Sequence, residues 1–563
     1  MSFDQVDRFR QEVGSEIIVA DRAAVDCVPL SDGESLRRTC IALRAERNFF
    51  QVQHARALER EEALKAVVAE RDATIRDLKQ RLFGRSRETT PGSEASPAGD
   101  RGVKKRNRGQ QPGNPSPPRR EHPGLVVREE VHALSGVDAA CPQCGKDVVP
   151  FHRDEVSEVH EVEVRAYTRR IVKRCGHPTC SCGRLPGVVT PLVVGAVFPG
   201  SNMGVSAIAE MLLSKYFYGE PLNRVLQRWE ALGFCVSPGT VHGLLKPIAA
   251  LFKPLAELIA ERNRQAHHWH IDETGWVVLA KVSGKHTHRW WMWVFVAEDT
   301  VVFKISPHRS TAVIREHLGK QPEGIASVDR YASYKSMALS AVLFLLSFCW
   351  AHVRRDFLGL ARKWPCCQDW ALDWIERIGA LYHTNNQRRD LHEQPASPAY
   401  RAIDKALRFQ IAEFKRLSTQ QRTDPTVHPA ARKVLESLRE HWTGLTLFVD
   451  RPWLDMDNNC AERALRPQVV SRKNSYFSGA AWSADLHADL TTVFYTLERN
   501  GFNVRTWLTD YLAQCAILGG KPPPDISGFL PWNAQPRDRK RWTQPLPPAP
   551  SPPTPEHRYR GSG

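Results

Sequence analysis

The stretch HWHIDETGWVVLAKV, residues 268–282, decides the reading of this chain. It is a strand pattern in which Trp269, Ile271, Trp276 and Val277 surround one acid, Asp272. A charge among apolar neighbours is costly unless it is paired or binds a cation. Two further apolar runs follow at short intervals, HRWWMWVFVAED (288–299) and VVFKISPHRS (301–310), and predict three antiparallel strands.

Downstream the pattern alternates. TAVIREHLGK (311–320) reads as a helix and GIASVDRY (324–331) as a strand. VLFLLSFCWAHVRRDF (342–357) reads as a strand running into a basic helix. Three antiparallel strands, a helix, then strands alternating with helices is the order of an RNase H-like mixed sheet. Asp329 closes the fourth strand, where an open α/β sheet presents its binding crevice.

A third acid belongs with these two. Asp455, Asp457 and Glu462 stand close together in DMDNNCAERALRPQVVSRKN. Asp457 or Asn458 suits the N-cap of the following helix, which leaves Glu462 on the helix itself, with Pro467 expected to kink it. Mg²⁺ takes hard oxygen ligands and keeps several waters, so three carboxylates suffice for two ions working on a phosphodiester. Mn²⁺ suits the same oxygens. Arg463, Arg466, Arg472 and Lys473 crowd the helix, and His352, Arg354 and Arg355 follow the fifth strand. They are candidate phosphate contacts, or ion-pair partners of the acids.

Upstream, residues 34–84 contain no proline, and Leu36, Leu43, Phe50, Ala57 and Leu64 recur every seven. After a shift of four, Val68, Ile75 and Leu82 resume the spacing. This predicts a helix with a coiled-coil stripe and a stutter, and a homo-oligomer through it. Residues 85–123 are rich in Pro, Gly, Ser and Arg, and 101–120 hold seven Lys or Arg and no acid. That segment predicts a flexible basic linker in which Arg106, Arg108, Arg119 and Arg120 can lie along phosphates.

Cys141-Pro-Gln-Cys144-Gly is followed after 30 residues by Cys175-Gly-His177-Pro-Thr-Cys180-Ser-Cys182-Gly. The alternating stretch between them resembles the hairpin of a zinc ribbon, with Cys141, Cys144, Cys175 and Cys180 as ligands to a structural Zn²⁺ and Cys182 as the competing choice. Residues 222–263 show a helix, a Gly233 turn and a helix opened by Ser237-Pro238. A DNA-reading helix-turn-helix and an ordinary helical hairpin share that outline.

The whole-chain totals agree with a polyanionic partner. There are 78 Lys and Arg against 62 Asp and Glu, a formal net charge of +16. No run of 18 apolar residues exists, and the polar start MSFDQVDRFRQEV is no secretion signal. The expectation is a cytoplasmic, nucleoid-associated protein without a membrane partner, whose cysteines are kept reduced.

Several long motifs together resemble the transposases of the insertion sequence 66 family, within the DDE superfamily. They are LFGRSRE (82–88), RGQQPGNPSPPRR (108–120), CPQCG, HIDETGW, SVDRYASYK, CWAHVRRDF, NNCAERALRPQVVSRKNSYFSG (458–479) and GFLPW (528–532). The resemblance implies an RNase H-like core with Asp272, Asp329 and Glu462 as the metal-binding triad. It also implies Mg²⁺-dependent cleavage of transposon ends, joining of 3′-hydroxyls to target DNA, and small accessory proteins as partners. The 132 residues between Asp329 and Glu462 match a core carrying a mostly helical insertion. A DNA-binding repressor or domesticated factor with a silent core is the alternative.

The expected organisation is thus multidomain α/β. It comprises an N-terminal segment 1–33, a coiled-coil helix 34–84, a basic disordered linker 85–124 and a zinc-binding module 125–190. A helix-turn-helix-like part 191–262 precedes a catalytic core 263–480 with its insertion at 357–450. C-terminal helices 481–530 and a disordered tail 531–563 complete it.

The cysteine reading makes a direct prediction. Metal analysis of the purified protein is expected to find one Zn²⁺ per chain, and strong chelation to unfold 125–190 selectively, seen as new protease cuts there. A module that stays resistant after the metal is stripped rules the zinc site out.

Overall fold

The computed structural model describes residues 33–83, 143–144, 166–172, 195–280 and 288–546. Its strands are β1 (His268–Val277), β2 (Arg289–Val296), β3 (Val301–Ser306), β4 (Gly324–Val328) and β5 (Phe344–Phe348). They form one mixed sheet in the order β3-β2-β1-β4-β5. The first three are antiparallel neighbours, while β4 runs parallel to β1 and β5 parallel to β4. The three-strand meander and the parallel additions are as expected.

Strand β2, RWWMWVFV, is apolar almost throughout, and its last five residues are buried. A strand covered on both faces has this composition. Strand β1 instead alternates functions along its length, with His270, Asp272 and Thr274 on one face and Glu273 and Gly275 on the other. It pairs with β4 only through His268–His270 and then runs on without it. The two strands part at that point.

Edge strand β3 is protected by helix α14 (Ala481–Arg499). Thr492 Oγ1 and Thr496 Oγ1 accept from the backbone N–H groups of Phe303 and Val301 at 2.9 and 3.0 Å. Side-chain hydroxyls thus occupy donors that would otherwise invite another strand.

Helices α2 (Val205–Leu212), α3 (Leu222–Ala231) and α4 (Pro238–Arg264) precede the sheet. Ser237 Oγ caps α4 by accepting from Thr240 N–H, with Pro238 in the first turn. Near the end of α4, buried Asn263 binds Phe295 O and Thr300 Oγ1, and Trp269 Nε1 donates to its carbonyl. That knot holds α4 to β1 and β2. Between the strands lie α5 (Thr311–Leu318) and α6 (Ala332–Ser340).

The expected insertion is helical. It comprises α7 (Trp350–Lys363), α8 (Gln368–Asp390), α9 (Pro398–Thr423), α10 (Pro429–Glu440), and the single turns α11 (Trp442–Leu445) and α12 (Leu447–Asp450). Arg388 is fully buried there and bonds Asp404, Asn385 and the carbonyls of Phe448 and Val449. A buried guanidinium with all these acceptors staples the helices, whereas one left unpaired would be strongly destabilising.

Helix α13 (Asn459–Ser475) runs through Pro467 without ending there. Helix α15 (Val504–Ile517) follows α14. The expectation of a disordered tail from 531 fails for its first part. Residues Pro536–Trp542 form helix α16, and Trp542 is buried against Phe502 and Phe529 with its Nε1 on Asp510. One large aromatic outweighed the Pro-rich polar composition around it.

Residues 33–83 form a single helix, α1 (Gly33–Phe83), which clusters with Leu358–Leu372 as a unit apart from the rest. Leu43, Phe50, Leu64, Val68 and Ile75 of the predicted stripe are exposed along it. The linker and almost all of the cysteine module lie outside the described residues. Among the described residues, no helix is long and apolar enough to cross a membrane.

Gly324 opens β4 at φ +138°, and a Cβ there would sit 2.4 Å from the carbonyl oxygen of His267. Gly324→Ala is therefore expected to cost about 1–3 kcal/mol in backbone strain and to lower the thermal midpoint by several degrees. Gly379→Ala, with nothing within 4 Å, is expected to stabilise α8 slightly. Equal midpoints for both variants would contradict the crowding argument.

Candidate active site

Where β1 and β4 part, two acids face the gap. Asp272 lies two residues past the last β1–β4 pair, and Asp329 one residue past the end of β4. Asp329 Oδ1 accepts from the Tyr331 N–H at 2.9 Å, which turns the chain sharply into α6. Glu462 sits in the first turn of α13. Burial, then the neighbouring Glu273 charge, pushes the Asp272 carboxyl up to about 7, and the charges of Asp329 and Glu462 push the same way. All three predicted acids thus meet electrostatically. The Glu273 N–H, donating to Asp272 Oδ1 at 2.9 Å, offsets only part of the cost.

Asn458 sets the distance between β1 and α13. It occupies the cap position, but its side chain makes no cap bond. Its Nδ2 donates to Ile271 O at 2.7 Å and its Oδ1 faces His270 Nδ1 at 3.1 Å. Its own N–H donates to Cys349 Sγ at 3.2 Å. Asp457 does the capping, accepting from Asn459 N–H at 3.0 Å. One fully buried amide therefore joins the strand of Asp272, the start of α7 and the helix of Glu462.

The rival acids are occupied elsewhere. Asp455 pairs with Arg389 and lies 3.6 Å from His270 Nε2. Asp457 also receives the Tyr382 hydroxyl.

Glu462 is clasped by Arg355, whose Nη2 reaches both carboxylate oxygens at 2.8 and 2.7 Å. Arg355 Nη1 lies 3.0 Å from His352 Nε2. A guanidinium only donates, so that nitrogen accepts and the ring is neutral. Burial, with Arg355 adding to it, holds the His352 pKa below its ordinary value. Of the two arginines the sequence places here, Arg354 and Arg355, the one on Glu462 is Arg355. Spacing holds the signal, because residues three apart, 352 and 355, share a helix face and 354 does not.

Glu273 was missed. It points to the opposite face of β1, where Arg309 Nε donates to it at 2.7 Å and the Tyr334 hydroxyl donates to its other oxygen. Burial raises its pKa against the pull of both partners. Arg472 Nη1 bonds Thr274 Oγ1 at 3.2 Å and the Gly275 carbonyl, so it braces β1. Arg466 and Lys473 are exposed on α13, one face with Val470. Arg106, Arg108, Arg119, Arg120, Cys141, Cys175, Cys180 and Cys182 lie outside the described residues, and Cys144 is exposed.

The donor set fits a hard divalent cation. A buried carboxylate crowded by two other acids gains most from a cation among them. Cys349, His352 and Glu462 also converge, with ligand atoms within 4.8 Å of one another. Burial raises the Cys349 pKa, and a soft ion there must first displace its proton.

The Transposase IS66 family model matches residues 200–486, the span that carries all three acids. The chain belongs to this family. Membership carries a transposase role in general terms, with DNA as the polymer acted on. Three proteins of Sinorhizobium fredii (strain NBRC 101917 / NGR234) are similar over most of their length. Uncharacterized protein y4qI is 25% identical over 453 residues, 76% of this chain and 79% of its own. Uncharacterized protein y4jD is 25% identical over 377 residues, covering 64% and 72%. Uncharacterized protein y4hP is 24% identical over 445 residues, covering 74% and 77%.

The crowded acid gives a pH prediction for the metal-free protein. An acid raised in the folded state destabilises it increasingly as pH climbs from roughly 4 towards the folded-state value. Asp272→Asn is therefore expected to raise the thermal midpoint at pH 8, with the gain fading by about pH 4. No gain at pH 8 would show that the carboxylate is not strained.

Proposed function

We propose that this IS66 family transposase cuts transposon ends and joins their 3′-hydroxyls to target DNA, with Asp272, Asp329 and Glu462 holding two Mg²⁺ or Mn²⁺ ions. The observation that carries the reading is the convergence of the three acids where β1 and β4 part. The strand order β3-β2-β1-β4-β5, with three antiparallel and two parallel members, supports an RNase H-like core.

Bound ions supply charge at the attacking and leaving oxygens of an in-line displacement. The chain's own residues position the donors. Asn458 and the backbone of β1 hold Asp272 and Glu462 in register, and the turn at Tyr331 aims Asp329. Arg355 holds Glu462 in one orientation and must yield an oxygen when a cation binds there. His352, neutral and beside Glu462, can accept a proton or bond a phosphate oxygen. The exposed Arg466 and Lys473 of α13 would grip flanking phosphates.

Beyond the core, a structural Zn²⁺ on Cys141, Cys144, Cys175 and Cys180, or Cys182, would order the module before the core. The basic linker would track DNA, and α1 would pair copies of the chain through its exposed stripe. Small accessory proteins of the same element complete the proposed assembly, placed at the nucleoid.

Asp272→Ala, Asp329→Ala and Glu462→Ala are each expected to abolish cleavage and joining of end-containing DNA in Mg²⁺, while binding of the ends persists in a gel-shift assay. Full joining activity in Asp272→Ala would falsify the mechanism. A wild-type chain that binds ends but never cuts them would favour the repressor reading.

A further inference from the structure

The face of β1 that carries Glu273 and Gly275 continues outward from Asp329 as an alternation of rings and guanidinium groups. Tyr331, two residues after Asp329, stacks on Arg309 at 3.9 Å. Arg309 lies 4.6 Å from the Trp291 ring, and Arg289 lies 4.7 Å from the same ring. The register sets Trp291 opposite Gly275 and Arg289 opposite Val277. The bridge between Val278 and Ser478 then puts Phe477 beside Val277 on the outer side.

Two features of this strip point to a ligand. First, a Cβ on Gly275 would lie 3.7 Å from Arg472 Nη1 and 3.8 Å from Arg289 Nε. Two guanidinium groups thus approach one small gap; Arg472 spends Nη1 on Thr274 Oγ1 and the Gly275 carbonyl, and among the described residues neither guanidinium pairs with a carboxylate. Like charges converge in this way where an anion completes them.

Second, Tyr476 is held at φ 61°, ψ −50°, with Phe477 N–H bonded to Ser475 O at 2.7 Å. That is a strained three-residue turn, and among the described residues no other non-glycine has positive φ. The strain presents Tyr476 and Phe477 to solvent, 73% and 52% exposed.

We propose that a single strand of DNA runs along this face. One phosphate sits over Gly275 between Arg289 and Arg472, and the bases beyond it stack on Phe477 and Tyr476. From Gly275 to Val277 the strip spans about 7 Å before Phe477 and Tyr476 extend it, room for roughly two or three nucleotides stacked at ~3.4 Å. Rings that stack and cations that follow a backbone are how proteins hold single strands without reading sequence. The inference rests on the DNA-processing reading and takes a single-stranded segment of the processed DNA as its ligand.

The test uses the full chain in metal-free buffer and three fluorescent probes: a twelve-nucleotide oligothymidylate, its abasic counterpart and a duplex of equal length. Phe477→Ala is expected to weaken oligothymidylate binding about tenfold and leave the abasic and duplex probes unchanged. Phe477→Tyr is expected to restore it. Arg289→Gln is expected to weaken both single-stranded probes and to lower the salt slope by about one. An unchanged affinity in Phe477→Ala, or an equal loss on the abasic probe, overturns the proposal. So does a change in sedimentation mass with Phe477→Ala, which would make the patch a protein interface. The assay involves no metal and no cleavage, so a chain that never cuts DNA can still pass it, and a competent transposase can fail it.

Discussion

Three residues of parallel pairing between β1 and β4, and the absence of pairing beyond them, control this site. Had the ladder continued, Asp272 would lie inside a closed sheet with no route for substrate. Because it stops, a gap opens at the carboxyl ends of the strands, lined by Asp272 and Asp329 and approached by Glu462 from α13. The Asp272 carboxyl is buried there among the charges of Glu273, Asp329 and Glu462. That combination raises the Asp272 pKa to about 7 and makes a cation the natural complement.

The neighbouring acids Asp272 and Glu273 show how one strand serves two purposes. Successive side chains point to opposite faces. Asp272 is left short of cationic partners and faces the gap. Glu273 is buried behind it, satisfied by Arg309 and Tyr334, and so ties the loop before α5 to α6, whose N-cap residue Tyr331 donates to the Arg309 carbonyl. Its charge adds to the pressure on Asp272 from behind. The anchor and the strained acid are thus one device.

Much of this was legible in local pattern. The strands and their order follow from apolar runs and turn lengths, and the helix over 34–84 appears as 33–83. The start of α4 at Ser237-Pro238 is a matter of capping chemistry and holds. Other features depend on residues far apart in sequence. Asp457 and Asn458 both read as caps; Asn458 holds the cap position, yet its amide serves β1, 187 residues away, and Asp457 takes the first helical N–H. Trp542 sits in a stretch with a disordered composition and is buried because Phe502, Phe529 and Asp510 surround it. Pro467 removes one helix bond, and the bonds on either side carry the helix past it.

The sequence alone established an α/β chain with a mixed sheet, three candidate acids and a basic surface, because alternation, caps and charge are properties of short segments. Only the tertiary structure put Arg355 on Glu462, occupied Asp455 and Asp457 with other partners, and set Glu462 within electrostatic reach of Asp272. It also brought Arg289 and the 472–477 segment, with Arg472 and Phe477, together around Gly275. The physical reason is the same in each case. Burial and charge coupling depend on distance in space, and strand register and helix packing set that distance.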